Sequence, residues 1–398
     1  MRQETKTSCR YYFNTIKMKY LKYILAVSII GASVLGCAKK SEARESKVFS
    51  ETISEETLSV ILMIGDGLGI PQVSSAFYFG EGEPNFQQFE TIGLINTSST
   101  SHLITDSAAG ATAFSTGEKT YKRAIGVSKD SLPLPTILEQ LKEKGYQTGL
   151  ISLTSITHAT PAAFYAHVKD RDMHEEIAKQ LVDAEIDFFA GGGRKYFSGR
   201  EDGLNLFDSL IANNYHLDTL NLDEVDNSRP NAFILTEEGI PSKTQGRGDF
   251  LQQASKKGLD YFSSSKKPFF LMIEGSYIDW GGHAKDDEMM IQEVLDFDKT
   301  IGVVLEFLKS HPNTLLIVTA DHETGGVSLG KYYEEDSNGK KKEVPGKVQV
   351  YFNDNQHSTE LIPVFAKGKG EELFSGIYQN NEIYQKLLQA INGISNEN

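Results

Sequence analysis

Acidic and histidine side chains recur at the ends of apolar segments in this 398-residue chain. The segments are LSVILMI (58–64), PFFLMIE (268–274) and TLLIVTAD (314–321), and the side chains are Asp66, Glu274, Asp321 and His322. Each aspartate alone is typical of a turn or helix cap. If the segments are parallel strands, however, their carboxyl ends meet, and mixed Asp/His sets are typical of zinc sites and all-oxygen sets of magnesium sites. The pattern therefore predicts a metal centre.

Three further potential ligands lie elsewhere in the sequence. Asp279 and His283 have the i,i+4 spacing that places two side chains on one helix face, although Gly281 and Gly282 between them argue against a regular helix. His357 stands in the polar stretch NDNQHSTE (353–360), where a histidine is usually just exposed. These three residues gain weight only together with the strand-end carboxylates.

A potential nucleophile, Ser107, lies in ITDSAAGATAFSTG (104–117). Asp106 is a plausible helix N-cap, which puts Ser107 in the first turn, close to free N–H groups and the positive end of the helix dipole. Such a position favours a bound anion. A capped, closely packed helix without any chemistry explains the same residues, and this segment alone does not decide between the two interpretations.

The segment THATPAAFYAHVKDR (157–171) contributes His158, Thr160 and Arg171. Arginine is the planar, bidentate partner of phosphate oxygens. Considered alone, Arg171 is more often interpreted as a surface residue than as a phosphate ligand.

Strand-like and helix-like segments alternate along the chain. Residues 148–153 and 186–192 are further predicted strands, while PTILEQLKEKG (135–145) and residues 288–310 have helical periodicity. This order predicts an α/β fold, a three-layer sandwich with a mostly parallel central sheet flanked by helices, whose ligand sites gather at the carboxyl ends of the strands. Two polar stretches, near 200–250 and 330–350, are predicted to be surface insertions.

Together these motifs resemble the alkaline phosphatases, from residue 58 to the C-terminal helix. The matching strings are GDGLG (65–69), TDSAAGATAFSTG (105–117), HATPAAFYAHVKDR (158–171), IEGSYIDWGGH (273–283), TADHETGG (319–326) and QHS (356–358). The resemblance implies hydrolysis of phosphate monoesters through a phosphoserine intermediate, two Zn²⁺ and one Mg²⁺ per chain, and a homodimer.

The resemblance also implies a role for each matching residue. Ser107 would be the nucleophile, and Arg171 would bind two phosphate oxygens. The metal ligands would be Asp279, His283 and His357 for the first zinc, Asp66, Asp321 and His322 for the second, and Asp66, Thr160 and Glu274 for magnesium.

Two positions depart from the best-known bacterial pattern of this family. His158 stands where that pattern has aspartate, and Trp280 stands where it has lysine. We expect both side chains to lie beside the metal ligands. His158 would weaken magnesium binding or admit another metal, and the loss of the lysine predicts weaker inhibition by the product phosphate.

The N-terminal region has the features of an export signal. The basic stretch KMKYLK (17–22) precedes an apolar run (23–36) that ends at Cys37. The sequence therefore predicts a lipoprotein-type signal peptide over 1–37 with Met18 as the start, a lipidated Cys37, a flexible tether over 38–57, and a periplasmic or cell-envelope location. The alternative is an ordinary signal peptide with an incidental cysteine.

Charge narrows the range of partners. The formal net charge of −14 disfavours nucleic-acid binding, and it also repels phosphate esters, so a phosphate site must supply local positive charge. Metal ions would supply it. Cys9 and Cys37 are the only cysteines, so a chain cleaved before Cys37 would have no internal disulfide.

Four other functions compete with a phosphomonoesterase. A sulfatase requires Pro and Arg two and four residues after its nucleophile, where this chain has Ala109 and Ala111, and a diesterase would lack the third metal site that Thr160 and Glu274 suggest. A serine esterase is disfavoured because no histidine stands where a triad base would be expected. A lipoprotein that binds metal or phosphate without turnover is the remaining alternative.

Overall fold

The predicted strands form the centre of a ten-stranded sheet in the computed structural model, which describes residues 57–393. The predicted signal peptide, Cys37 and all of the predicted tether except Thr57 lie outside these residues. The described strands are β1 (Ser59–Gly65), β2 (Thr91–Asn96), β3 (Gln147–Ser155), β4 (Phe188–Gly192), β5 (His216–Asp218), β6 (Asn231–Ile234), β7 (Phe269–Gly275), β8 (Thr314–Thr319), β9 (Val327–Glu335), β10 (Lys341–Phe352), β11 (Ile362–Gly368) and β12 (Gly376–Gln379).

The large sheet has the order β12-β2-β11-β8-β1-β7-β3-β4-β6-β5. Strand β11 runs antiparallel to both of its neighbours, whereas all other pairings in this sheet are parallel. Every residue of β1, β7 and β8 is buried, as expected for continuous apolar strands covered on both faces. The predicted mostly parallel α/β architecture is confirmed.

Two groups of helices flank the sheet. The described α-helices are α1 (Ile70–Phe79), α2 (Ser107–Thr116), α3 (Ile137–Glu143), α4 (Ala159–Ala162), α5 (His174–Asp183), α6 (Leu206–Ala212), α7 (Phe250–Ser264), α8 (Tyr277–Ala284), α9 (Asp287–Ser310) and α10 (Glu382–Ile391). Helix α9 packs against α1, α7 and α8, while α2 packs against α3, α4 and α10. Within residues 57–393, no helix is both long enough and apolar enough to cross a bilayer.

The two predicted insertions have different structures. Residues 327–352 form a separate antiparallel hairpin, β9–β10, and most of its residues are exposed. The prediction for 200–250 is wrong for strands β5 and β6, because they continue the central sheet and β6 is fully buried. Strand β6 is only the four residues NAFI, too short for its apolar pattern to stand out from polar flanks.

Candidate active site

Strand register brings three predicted acidic ligands to one edge of the sheet. Strand β1 lies between β7 and β8, with Ile64 opposite both Glu274 and Thr319. Asp66 and Asp321 lie two residues beyond Ile64 and Thr319. Because all three strands are parallel, the carboxylates of Asp66, Glu274 and Asp321 emerge together, and all three residues are buried. The predicted meeting of strand ends is therefore observed.

Asp279, His283 and His357 form the first group of potential metal ligands. His283 Nε2 lies 3.3 Å from Asp279 Oδ1 and 3.1 Å from His357 Nε2. Backbone carbonyls fix the other ring nitrogens, because His283 Nδ1 contacts Asn355 O at 2.6 Å and His357 Nδ1 contacts Thr105 O at 2.9 Å. The three ligand atoms face one point.

Asp279 and His283 do lie on a regular helix, α8, contrary to the doubt raised by the two glycines between them. A Cβ on Gly281 would lie 2.6 Å from the backbone nitrogen of Met290, and one on Gly282 would lie 2.7 Å from Thr324 O. The glycines are thus explained by close backbone packing on both sides of the helix.

The second group consists of Asp66, Asp321 and His322. His322 Nε2 lies 3.4 Å from Asp66 Oδ1 and 3.2 Å from Asp321 Oδ2. The ring of His322 stacks on that of His357 with 3.5 Å between centroids, so the second group directly adjoins the first. A carboxylate oxygen of Asp279 also lies within 4.8 Å of ligand atoms of Asp66 and His322.

A third group contains Asp66, Glu274 and His158, whose ligand atoms lie within 4.8 Å of one another. The resemblance named Asp66, Thr160 and Glu274 here and left His158 beside the ligands. The structure instead gives His158 the position of a potential ligand. The hydroxyl of Thr160 is buried and has no hydrogen-bond partner within residues 57–393.

Several oxygens in these groups are buried without any hydrogen-bond partner in the described part of the chain: both carboxylate oxygens of Asp66, Asp321 Oδ2 and Glu274 Oε1. Burial, followed by the charges of Asp321, Asp279 and Glu274, raises the pKa of Asp66 well above its ordinary value. Burial likewise raises the pKa of Glu274 to about 7. Unpaired buried carboxylates are costly unless a cation neutralises them. The donor set therefore fits divalent metal ions.

Ser107 is the first residue of α2, and Asp106 is its N-cap, accepting from Ala109 N at 3.2 Å. The Ser107 hydroxyl is buried and lies 3.3 Å from His322 Nε2. A histidine therefore faces the proposed nucleophile. His322 nevertheless lacks the geometry of a triad base: its Nδ1 faces the hydroxyl of Thr324, and its neighbouring carboxylates lie on the same nitrogen that faces the serine.

Arg171 is mostly buried beside the nucleophile. One of its terminal nitrogens lies 3.4 Å from Asp106 Oδ2, and the other lies 3.2 Å from His158 Nε2. Burial, followed by the charge of Arg171, lowers the pKa of His158 to about 3. His158 therefore faces the guanidinium as a neutral acceptor.

Two residues that the sequence did not single out contact the site. Thr324 Oγ1 donates to Asp279 Oδ1 at 2.5 Å and lies 3.2 Å from His322 Nδ1, so it links the first two groups. Ser152 Oγ donates to Glu274 Oε2 at 2.6 Å. Thr324 lies inside the matched string TADHETGG, which was the available signal. Trp280 is 45% exposed and packs on Tyr277.

Comparison with known proteins agrees with this geometry. Residues 58–338 match the family model described as alkaline phosphatase. Alkaline phosphatase 4 of Bacillus subtilis is 35% identical over an alignment of 293 residues, and the match covers 69% of this chain and 63% of the Bacillus protein. The chain thus spans less than two thirds of that relative. Alkaline phosphatase of Escherichia coli is 32% identical over 327 residues, covering 66% of this chain and 69% of the relative.

Among solved structures, alkaline phosphatase from the Antarctic bacterium TAB5 superposes with a TM-score of 0.81 at 45% sequence identity. The match covers 84% of this chain and 98% of that one. A variant of the Antarctic protein with one histidine replaced by aspartate has been solved with Mg bound in its M3 site. On the family model, the relatives and the shared fold, this chain belongs to the alkaline phosphatase family.

Proposed function

We propose that the protein hydrolyses phosphate monoesters through a phosphoserine intermediate on Ser107. The observation that carries the proposal is the position of the Ser107 hydroxyl, which lies at a helix N-terminus and faces a buried acid and histidine cluster. Arg171 contacts Asp106 Oδ2, while Asp106 Oδ1 caps the helix, and the Arg171 guanidinium is suited to two phosphate oxygens. One aspartate, Asp106, therefore contacts both the helix that carries the proposed nucleophile and the arginine that would bind phosphate.

In the proposed reaction, the Ser107 oxygen attacks phosphorus as the bond to the leaving alcohol's oxygen breaks, and the proton that Ser107 loses passes through solvent to that oxygen. Arg171 holds two oxygens of the phosphoryl group, and Asp106 and His158 hold Arg171. Water then cleaves the phosphoserine ester and releases inorganic phosphate. Such a transfer depends mainly on positioning and charge neutralisation, which these fixed side chains provide.

We propose two Zn²⁺ and one Mg²⁺ as the cofactors. Asp279, His283 and His357 would hold one zinc, Asp66, Asp321 and His322 the other, and Asp66, Thr160 and Glu274 the magnesium, with His158 as a fourth donor. Bound there, the ions would supply Lewis-acid activation and neutralise developing negative charge. Elemental analysis of the purified protein should find about two zinc ions per chain.

Replacing Ser107 by alanine tests the proposal directly. The variant should lose at least about 10³-fold in turnover of p-nitrophenyl phosphate, because the nucleophile is gone. Ser115→Ala is the matched control: Ser115 lies in the same helix, but its hydroxyl donates to Ala163 O. Acid quenching during turnover should place phosphate on the peptide that contains Ser107. An active Ser107→Ala protein would refute the intermediate.

Substrate comparison separates the related hydrolases. The protein should turn over p-nitrophenyl phosphate much faster than the bis-ester or the sulfate. Faster cleavage of the bis-ester or of the sulfate would instead identify a diesterase or a sulfatase. No turnover of any of the three by metal-loaded protein would favour the non-catalytic binding protein.

We also propose export, attachment to the membrane through lipidated Cys37, and assembly as a homodimer. The first two rest on residues 17–37, and the dimer rests on the family resemblance. Metabolic labelling with a fatty acid should mark the wild-type protein and not Cys37→Ser. Light scattering of the released protein should give twice the mass of one chain.

A further inference from the structure

Arg123 has an unusual backbone conformation next to the proposed nucleophile. Its φ is +75°, in the left-handed region that residues with a Cβ rarely adopt. In this conformation its N–H donates to both carboxylate oxygens of Asp106, at 3.2 and 3.0 Å. Asp106 is the residue that caps the Ser107 helix and contacts Arg171. The backbone of Arg123 is therefore tied to the centre of the site.

The side chain of Arg123 binds the two acidic residues on either side of Arg171. Its Nε and one terminal nitrogen each lie 2.8 Å from the carboxylate of Asp170, a bidentate pair. The same terminal nitrogen lies 2.5 Å from Asp172 Oδ2. The charged residues 170–172 thus face different groups. Asp170 and Asp172 face Arg123, whereas Arg171 faces the site.

Without Arg123, Asp170 and Asp172 would have a ready partner in Arg171. An arginine pairs with carboxylates by the same bidentate geometry that it uses for phosphate, so these aspartates would compete with the substrate. Their uncompensated charge would also repel an anion that approaches Arg171. An arginine at position 123 removes both effects.

We propose that Arg123 is a positioning residue that keeps Asp170 and Asp172 away from Arg171 and so leaves the Arg171 guanidinium free for phosphate. The inference deepens the proposed function and rests on the phosphate-binding role assigned there to Arg171.

The Arg123 side chain is not what holds the surrounding fold together. Ile125 and Val168 exchange backbone hydrogen bonds of 3.0 and 2.9 Å, which join the two segments directly. The side chains of Arg123, Asp170 and Asp172 are 45%, 43% and 72% exposed, and exposed ion pairs contribute little to stability. A variant should therefore keep its fold while its phosphate affinity changes.

The test is Arg123→Gly, because glycine accepts φ +75° without a side chain. Calorimetry on the metal-loaded protein should show inorganic phosphate binding about tenfold more weakly, and KM should rise more than kcat falls. The melting temperature should change little. Arg229→Gln is the control, since Arg229 pairs with Asp226 at 2.7 Å beside β6, far along the sheet from β1. It should leave phosphate affinity unchanged.

A rescue variant isolates the cause. Replacing Asp170 and Asp172 by asparagine in the Arg123→Gly protein removes the competing charges and should restore most of the phosphate affinity. Unchanged affinity in Arg123→Gly, or a loss that the asparagines do not restore, overturns the inference. Wild-type protein that binds phosphate but turns over no monoester would sink the proposed function and leave this inference standing, whereas wild-type protein that binds no phosphate overturns the inference as well.

Discussion

Two clusters of buried carboxylates within residues 57–393 differ in whether cationic side chains pair with them. Glu293 and Asp296, on helix α9, are buried against Arg247, and Asp296 also binds Lys243. All four of their carboxylate oxygens accept hydrogen bonds, including one from Gln252. At the sheet edge, by contrast, Asp66, Glu274 and Asp321 lie together with unpartnered oxygens.

The contrast separates a structural ion cluster from a binding site. A buried acid that already has a guanidinium and further donors needs nothing from solvent. At the sheet edge, burial and the charges of the neighbouring acids raise the pKa of Asp66, and a ligand of opposite charge is favoured there. Buried carboxylates thus belong to a structural ion cluster in one region and to a binding site in the other, and substitutions in the two regions should have different effects.

Of the changes proposed here, replacing a carboxylate at the sheet edge should have the strongest effect, a loss of enzymatic activity. Asp66→Asn should reduce turnover of p-nitrophenyl phosphate by more than about 10³-fold, because Asp66 belongs to two of the three proposed metal groups. Chelation of the wild-type protein should have a similar effect that zinc and magnesium reverse. Activity that survives both treatments would contradict the metal assignment.

Disrupting the cluster of Arg247, Glu293 and Asp296 should lower the stability of the fold. Arg247→Met leaves Glu293 and Asp296 buried without their main partner and should lower the free energy of unfolding by about 3–5 kcal/mol. Urea denaturation measures this change. Adding Glu293→Gln and Asp296→Asn to the same chain should recover part of the loss, and no recovery would mean that packing rather than charge is responsible.

In metal-free protein, Asp66→Asn should raise the free energy of unfolding, which is opposite to the change expected for Arg247→Met. In chelated protein the substitution removes an unpartnered buried charge, so the free energy of unfolding should rise by about 1–3 kcal/mol. The same substitution in metal-loaded protein should lower it, because a ligand is lost. Destabilisation under both conditions would mean that the carboxylates tolerate their mutual burial.

Adding a positive charge at the sheet edge should have a smaller effect, on phosphate affinity. Trp280 follows the potential ligand Asp279 and is partly exposed. Trp280→Lys should bind inorganic phosphate more tightly, by up to about tenfold, because it adds positive charge near the anion. Inhibition of turnover by phosphate measures the change, with Trp280→Gln as the neutral control. Tighter phosphate binding by the native protein than by the lysine variant would contradict the expectation.

The partly buried pair of His167 and Glu139 should show the smallest change in stability. Burial opposes the charge on His167, but Glu139 and the carbonyl of Gly126 raise its pKa above the ordinary 6.5. The pair lies at 3.0 Å. Because a raised histidine pKa stabilises the fold at low pH, the contribution should be complete below about pH 6.5 and disappear as pH rises through the folded pKa.

His167→Gln should therefore unfold more easily than wild type near pH 6, by less than about 1 kcal/mol given the exposure of Glu139, and equally at pH 9. The pKa of Glu139 is lowered below 4.5, so its own contribution is lost only in more acidic solution. His102→Gln, at an exposed site, is the control. A difference that grows with pH would contradict the sign.

Local sequence patterns were sufficient to predict the main strands and most residues of the proposed site. The apolar runs at β1, β7 and β8 and the N-cap at Asp106 are local patterns, because burial on both faces of a strand or the start of a helix is set by neighbouring residues. Family strings then supplied Ser107, Arg171 and the potential metal ligands. The assignment to the alkaline phosphatases is confirmed.

Contacts between side chains that are distant in sequence became visible in the folded chain alone. It placed His158 among the potential ligands of the third group, brought Thr324 between Asp279 and His322, and set Arg123 against Asp170. It also put the short strand β6 into the sheet. Such contacts depend on strand order and backbone conformation across many residues of separation, and no local pattern in the chain encodes them.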